Sequence, residues 1–209
     1  MHKNQILFFA LILAAVVAVS GCSSTPAPSA QASATSAPVT GGPAGSHTPA
    51  AADTASAGGL SVRVGALVPG SALPDGHTCK GASESPGVFW DGIPAGTKSL
   101  VLILDDPDAP AGTFTHWIVY NIPPQNGNLP AAQPNAKVLA NGANQGETSA
   151  GSRGYYPPCP PVGSTHRYVF RLYAVDMDIT QPTANRESID WALTGHTLAN
   201  AEFVTRVTR

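Results

Sequence analysis

The residues with the clearest chemical potential are acidic and follow an apolar segment. In SLVLILDDPDAP, the carboxylates of Asp105, Asp106 and Asp108 come directly after a run of aliphatic side chains. His116 follows in the next apolar segment, and His166 begins a later one, HRYVFRLYAV. Carboxylates and imidazoles exchange protons and bind ions, so together they could form a binding or catalytic site. Aspartate is also common in turns, so these residues could alternatively be turn formers.

Three segments are predicted to be strands that position these side chains. Residues 99–104, SLVLIL, are apolar without alternation, which is typical of a central strand covered on both faces. Residues 116–122, HWIVYNI, are rich in β-branched and aromatic side chains. The third segment alternates, so one face should carry His166, Tyr168, Phe170 and Leu172. The pattern predicts a mainly β fold with short helices.

One helix is predicted near the C-terminus. Ser188 is its expected N-cap, and the helix should run through Ile189 and Leu193 until Gly195 interrupts it. His196 should then lie on the helix as a structural histidine. The core or a pocket wall is the expected location of three aromatic residues: Trp90, Trp117 and Trp191.

The N-terminal residues are predicted to be a targeting signal. Lys3 precedes a continuous apolar run, and the small residues of VSGC come directly before Cys22, as in a bacterial lipobox. We therefore expect residues 1–21 to be a lipoprotein signal peptide and Cys22 to carry the lipid, palmitate included. A membrane-anchoring helix is the alternative, but the apolar run is short for one. The expected location is the extracytoplasmic face of the cell membrane.

Composition sets the domain boundaries. Residues 22–59 are almost entirely Ala, Ser, Thr, Pro and Gly, with Asp53 as the one charged side chain, so a disordered tether is predicted there. Residues 60–209 form the predicted folded domain, with ten Lys and Arg (11 less Lys3) against twelve Asp and Glu (13 less Asp53). The formal net charge of −2 and the absence of a basic cluster argue against a nucleic-acid partner.

Cysteine number predicts one disulfide. The chain has three cysteines, and lipidation of Cys22 would leave Cys79 and Cys159. Outside the cytoplasm an even remainder indicates a bridge, although two buried thiols are the alternative.

Two long motifs carry a family resemblance. The segment DDPDAPAGTFTHWIVYNIPP, followed by GYYPPCPPVGSTHRYVFRLYAVD, resembles the phosphatidylethanolamine-binding protein family, also called Raf kinase inhibitor-like proteins, and above all its bacterial branch. The resemblance covers nearly all of residues 60–209. It implies a sandwich of antiparallel β-sheets with short helices and a small anion-binding pocket at one end.

The resemblance also implies a site. The Ala109–Pro110 peptide bond would be cis, as in relatives. A nearby Asp106 would raise the pKa of a pocket histidine and burial would lower it, so the net direction stays open at this point. Six residues are implied to bind the ligand: Asp106, Asp108, His116, Pro161, His166 and Tyr168.

These residues suggest several functions. We expect a membrane-tethered protein that binds a small anion, bearing phosphate or carboxylate, or a phospholipid head group. The alternative is an interaction or inhibitor protein that docks a protein partner. Neither requires a cofactor, and we expect no catalysis. Two histidines and one carboxylate could imitate a metal site, but the spacing is not metal-specific. A serine hydrolase lacks support because no G-x-S-x-G motif occurs.

Overall fold

The computed structural model of this protein describes residues 59–181 and 184–209. The predicted signal peptide, the lipidated Cys22 and residues 23–58 of the predicted tether lie outside the described residues. The strands are β1 (Ser61–Val64), β2 (Val88–Asp91), β3 (Ser99–Asp106), β4 (Phe114–Ile122), β5 (Gly127–Leu129), β6 (Asn144–Gln145), β7 (Thr165–Val175) and β8 (Thr197–Thr208). The helix α1 spans Arg186–Leu193, and a 3-10 turn spans Asp75–His77.

The strands form two antiparallel sheets. The smaller sheet has the order β1-β2-β5 and the larger has the order β6-β4-β3-β7-β8. One hydrophobic cluster contains side chains from both sheets, Val64, Trp90, Leu102 and Phe170 among them, so the sheets pack face to face as a sandwich. A second cluster joins the other face of the larger sheet to α1 through Ile103 and Ile189.

Strand β3 lies in the middle of the larger sheet. Every residue from Ser99 to Asp106 is buried, as the absence of alternation predicted. Leu100, Leu102 and Leu104 face the smaller sheet, whereas Val101 and Ile103 face α1. The same alternation continues to the end of the strand and sends the side chains of Asp105 and Asp106 to opposite faces.

Strand β4 contains a bulge beside the histidine. Leu104 of β3 pairs with Trp117, but the next residue, Asp105, pairs with Thr115, so His116 is the extra residue. A bulge of this kind changes the direction of a side chain. It allows His116 and Trp117 to contribute to the same side of the sheet, which strict alternation would forbid.

The C-terminal region differs from the sequence prediction. The N-cap of α1 is Asn185, and Ser188 lies at the third helical position, where the two residues form a reciprocal capping box. His196 lies beyond the helix, in the turn that leads into the long strand β8, and its Nδ1 is 2.7 Å from Asp176. The prediction that Trp191 is buried is wrong, because Trp191 lies on α1 and is 75% exposed.

Two covalent expectations have different outcomes. Cys79 and Cys159 form the predicted disulfide, which joins residues 80 positions apart and ties the 3-10 turn region to the segment before β7. The Ala109–Pro110 bond is trans, contrary to the expectation from relatives, since no cis peptide occurs in the described residues. Within the same residues, no helix has the length and apolar character needed to cross a membrane.

Candidate functional site

A cavity of about 390 Å³ opens at the end of the larger sheet where β3 finishes and β7 begins. Its walls come from β3, β4, β7, the loop after β3 and the proline-rich segment before β7. The lining residues are Asp106, Ala109, Pro110, Phe114, His116, Tyr156, Cys159, Pro160, Pro161, His166 and Tyr168.

Asp106 holds one histidine in place. Its Oδ2 accepts a hydrogen bond from Nδ1 of His166 at 2.8 Å, and its Oδ1 accepts one from the backbone N–H of Asp108 at 2.9 Å. Both side chains of the pair are almost fully buried. The carboxylate therefore orients an imidazole, which explains how an acidic residue can belong to a site for anions.

A backbone carbonyl holds the other histidine. Nδ1 of His116 donates to the carbonyl oxygen of Tyr156 at 2.9 Å, and the N–H of Tyr156 donates to the carbonyl of His116 at 2.8 Å. Burial lowers the pKa of His116, and this effect exceeds the opposing influences of the Tyr156 carbonyl, Asp106 and Asp105. The structure thus answers the question that the sequence left open: for His116, burial dominates.

Tyr168 supplies a buried donor. Its hydroxyl is buried and makes no hydrogen bond of good geometry within the described residues, although Asp106 and the backbone at Cys159 lie close enough to influence it. Burial, then the charge of Asp106, raises the pKa of Tyr168, so the phenol keeps its proton. Buried donors are nearly always satisfied in folded proteins, and the carboxylate of Asp106 is close enough to serve as the acceptor for this hydroxyl.

Aromatic rings form much of the remaining wall. The ring centroids of Phe114 and His116 are 4.8 Å apart, and those of His116 and Tyr168 are 5.2 Å apart in an edge-to-face arrangement. Tyr156 packs on the same group, with its ring centroid 5.7 Å from Phe114, and is 40% exposed. The rings shape a slot beside the polar groups.

The structure brings together five of the six predicted ligand-binding residues. Asp108 is the exception, because it turns outward and forms a bidentate pair with Arg167, with contacts of 2.6 and 3.0 Å. Hydrogen bonds from Arg167 lower the pKa of Asp108 to about 2. The sequence interpretation missed Phe114 and Tyr156. Phe114 could have been found, because it lies two residues before His116 in a strand, whereas Tyr156 approaches only through tertiary pairing.

Asp105 has a different environment from Asp106. It is fully buried on the α1 side, where its Oδ1 accepts a hydrogen bond from the Thr115 hydroxyl at 2.7 Å. Its Oδ2 lies 3.0 Å from Arg171 and 3.2 Å from Arg186. Among the residues that the structure describes, no three His, Cys, Asp or Glu side chains converge as metal ligands would.

The fold is thus a two-sheet β-sandwich with a cavity at one end that two oriented histidines line. Comparison with known proteins gives the family. The sequence model described as phosphatidylethanolamine-binding protein matches residues 64–208. The chain therefore belongs to the phosphatidylethanolamine-binding protein family, and the resemblance read from its motifs is confirmed.

Relatives span several branches of life. A UPF0098 protein of Methanothermobacter thermautotrophicus is 46% identical over 134 residues, which is 63% of this chain and 87% of that protein. A Mycobacterium tuberculosis protein with the provisional name of lipoprotein LppC is 40% identical over 114 residues, 54% of either chain.

Solved structures confirm the fold. A crystal structure from Chlamydia trachomatis, provisionally assigned as a homologue of phosphatidylethanolamine-binding protein, superposes with a TM-score of 0.67 at 34% identity, covering 73% of this chain and 99% of that one. Escherichia coli YbcL, described as a member of the mammalian family, gives 0.66 at 30% identity, covering 72% and 98%. The predicted fold class is therefore correct.

Proposed function

We propose that this protein is a membrane-tethered, extracytoplasmic binding protein for a small ligand that carries a phosphate or carboxylate group, a phospholipid head group included. The observation that carries the proposal is a cavity, formed by the described residues, that exposes two imidazoles oriented through Nδ1. An oxyanion in this cavity would reach Nε2 of both histidines. Asp106 supports this arrangement by holding His166.

We propose binding without catalysis. The cavity lining contains no serine, threonine or lysine, and its one cysteine, Cys159, is held in the disulfide with Cys79. Covalent catalysis needs an activated nucleophile beside a base. In the described lining, both oxygens of Asp106 already accept hydrogen bonds, and burial keeps the Tyr168 phenol protonated. No cofactor enters this proposal.

The tether is the second part of the proposal. It is supported by the lipobox ending at Cys22 and by the lipoprotein name of the mycobacterial relative. We expect Cys22→Ala to abolish acylation and to leave the chain unprocessed. Metabolic labelling with a palmitate analogue, followed by mass spectrometry of the N-terminus, measures this. Normal acylation of the variant would refute the lipid anchor.

A docked protein partner is a second candidate. It is favoured by apolar side chains beside the cavity, because Val162, next to the lining residue Pro161, is 80% exposed and Tyr156 is partly exposed. Exposed apolar groups at a cavity mouth can contact a partner surface. On this alternative the protein acts as an interaction or inhibitor protein.

Calorimetric titration tests the small-ligand proposal. A chain of residues 23–209 retains both hydrophobic clusters and the disulfide, so it keeps every packing contact described above. Phosphoethanolamine and inorganic phosphate serve as probes. We expect His116→Ala and His166→Ala each to weaken binding by about 1.5–3 kcal/mol, the range for a hydrogen bond to a charged group.

A matched control makes the result specific. His196 is an exposed imidazole that pairs with Asp176 at the opposite end of the β7–β8 pair, away from the cavity. His196→Ala should bind the probes as the unmodified chain does. If the two cavity variants also bind like the unmodified chain, or if no probe binds at all, the small-ligand proposal is wrong and the protein-partner alternative gains support.

A further inference from the structure

The two cavity histidines have the same hydrogen-bonding arrangement. In each, Nδ1 faces a group that only accepts: the carbonyl oxygen of Tyr156 for His116, and the carboxylate of Asp106 for His166. Nδ1 must therefore carry the proton in both rings. A neutral imidazole has one N–H, so Nε2 of His116, whose pKa is lowered by burial, is then a bare lone pair.

Neither Nε2 atom has a hydrogen-bond partner in the described residues, and neither belongs to the buried, unsatisfied atoms found there. Both rings line the cavity, so these atoms are accessible to a ligand. The neutral His116 ring thus offers an acceptor at a position where an anion requires a donor. Burial raises the pKa of Tyr168, so its hydroxyl keeps its proton between about pH 5 and 8.

The charges around His116 do not compensate for this arrangement. Among the residues that the structure describes, no lysine or arginine lines the cavity. On β3, Asp106 faces the ring and Asp105 acts from the opposite face of the strand, while β7 contributes His166 and Tyr168. Phe114 of β4 is uncharged, and Tyr156 contacts the ring through its backbone. Burial lowers the pKa of His116 in spite of both carboxylates, so its neutral form dominates at pH 7 and above.

From this geometry, and resting on the proposed function, we infer that the cavity binds an oxyanion together with a proton and prefers anions of weak acids, phosphate monoesters above all. The proton lies between a ligand oxygen and Nε2 of His116. A phosphate monoester has its second pKa near 6, close to that of imidazole, so the two groups can share the proton. Sulfate esters and phosphodiesters are anions of much stronger acids and cannot take the proton, which must then remain entirely on the buried imidazole.

The same chemistry separates two sources of phosphate. A free phosphorylated metabolite is a monoester, whereas the head group of an intact phospholipid is a diester. The inference assigns the cavity to the monoester. Glycerophosphoethanolamine represents the lipid head group, phosphoethanolamine represents the free monoester, and the sulfate ester of ethanolamine controls for charge and shape.

Calorimetry of the residue 23–209 chain in two buffers of different ionisation enthalpy measures the number of protons that are taken up when the ligand binds. At pH 7.5 we expect phosphoethanolamine to bind with uptake of about one proton, so that its affinity falls about tenfold for each pH unit above 7. The diester and the sulfate ester should each bind at least about tenfold more weakly. The sign follows from the linkage, because a ligand that binds with a proton binds less well as protons become scarce.

His116→Gln gives a readout that a structural role would not produce. The amide can donate a hydrogen without taking up a proton, so the variant should lose the pH dependence and the preference over sulfate while still binding phosphoethanolamine. His196→Gln is the matched control and should keep both properties.

The outcomes separate this inference from the proposed function. If phosphoethanolamine binds without proton uptake, or if the diester or sulfate ester binds equally well, the inference is wrong and the proposed function stands. If none of the three binds, both fail. Proton uptake with a monoester preference that disappears in His116→Gln supports the inference.

Discussion

Substitutions at Asp105 and Asp106 test whether one of these adjacent carboxylates stabilises the fold and the other supports ligand binding. Strand alternation sends the Asp106 side chain to the cavity and the Asp105 side chain to the α1 side. We expect Asp105→Asn to destabilise the fold and to leave ligand binding unchanged. Asp106→Asn should mainly alter ligand binding and its pH dependence.

The magnitude for Asp105→Asn follows from its partners. Removing one member of a buried ion pair costs about 3–5 kcal/mol when the remaining charge has no compensation. Arg171 and Arg186 keep some solvent contact, with side-chain exposures of 25% and 29%, and each retains a second carboxylate, Glu202 or Asp190. The asparagine oxygen can also still accept from the Thr115 hydroxyl. We therefore expect the low end, a loss of about 3 kcal/mol.

Urea unfolding measures this loss. With a slope of about 2 kcal/mol per molar, the midpoint should fall by about 1.5 M. Asp106→Asn is the internal control, because its amide oxygen can still accept from Asp108 N–H while its amide N–H donates to Nδ1 of His166 once that ring takes the Nε2–H tautomer. Only the charge assistance of the His166 bond is then lost, about 1 kcal/mol. If Asp105→Asn unfolds at the same urea concentration as Asp106→Asn, the assignment of a stabilising ion cluster to Asp105 is wrong.

Three other features have testable consequences. Replacing Cys79 and Cys159 by Ala should lower the free energy of unfolding by about 2–4 kcal/mol in urea titration, below the ceiling of about 4.5 kcal/mol for so long a loop; an unchanged value would show that the bridge does not stabilise the fold. Arg167→Gln should return the pKa of Asp108 from about 2 towards its model-peptide value of 3.8 in an NMR titration. Because the folded pKa is depressed, the stabilising contribution of this exposed pair is present above pH 4 and should disappear between about pH 4 and 2, and no pKa change would exclude Arg167 as the cause. Trp191→Ser should change the free energy of unfolding by less than about 0.5 kcal/mol in thermal or urea unfolding, and a loss above 2 kcal/mol would restore the buried interpretation.

Local sequence patterns were sufficient for the central elements. A run of aliphatic residues without alternation predicted that β3 is covered on both faces, and strict alternation predicted the buried row of β7 that begins at His166. Two cysteines left over in a chain predicted to be extracytoplasmic predicted the disulfide. These features depend on side-chain periodicity and residue counting, both of which can be read within a short window.

The C-terminal segment shows where local patterns were insufficient. Ile189 and Leu193 are buried and define the inner face of α1, but nothing within the helix shows that Trp191 lacks a covering element. The sequence interpretation did not predict strand β8, whose first half, TLANAE, has weak strand character. It forms a strand because β7 offers a long edge with which it can pair.

The sequence by itself determined which residue types could form the site, and the two long motifs identified the family that assembles them. Only the tertiary structure decided where each side chain points. A one-residue bulge in β4 brings His116 to the cavity, the pairing with Tyr156 sets its tautomer, and Arg167 draws Asp108 away. The direction of each of these side chains depends on a partner 40 or more residues away or on the register between strands. The spacing of neighbouring residues encodes neither the distant partner nor the register.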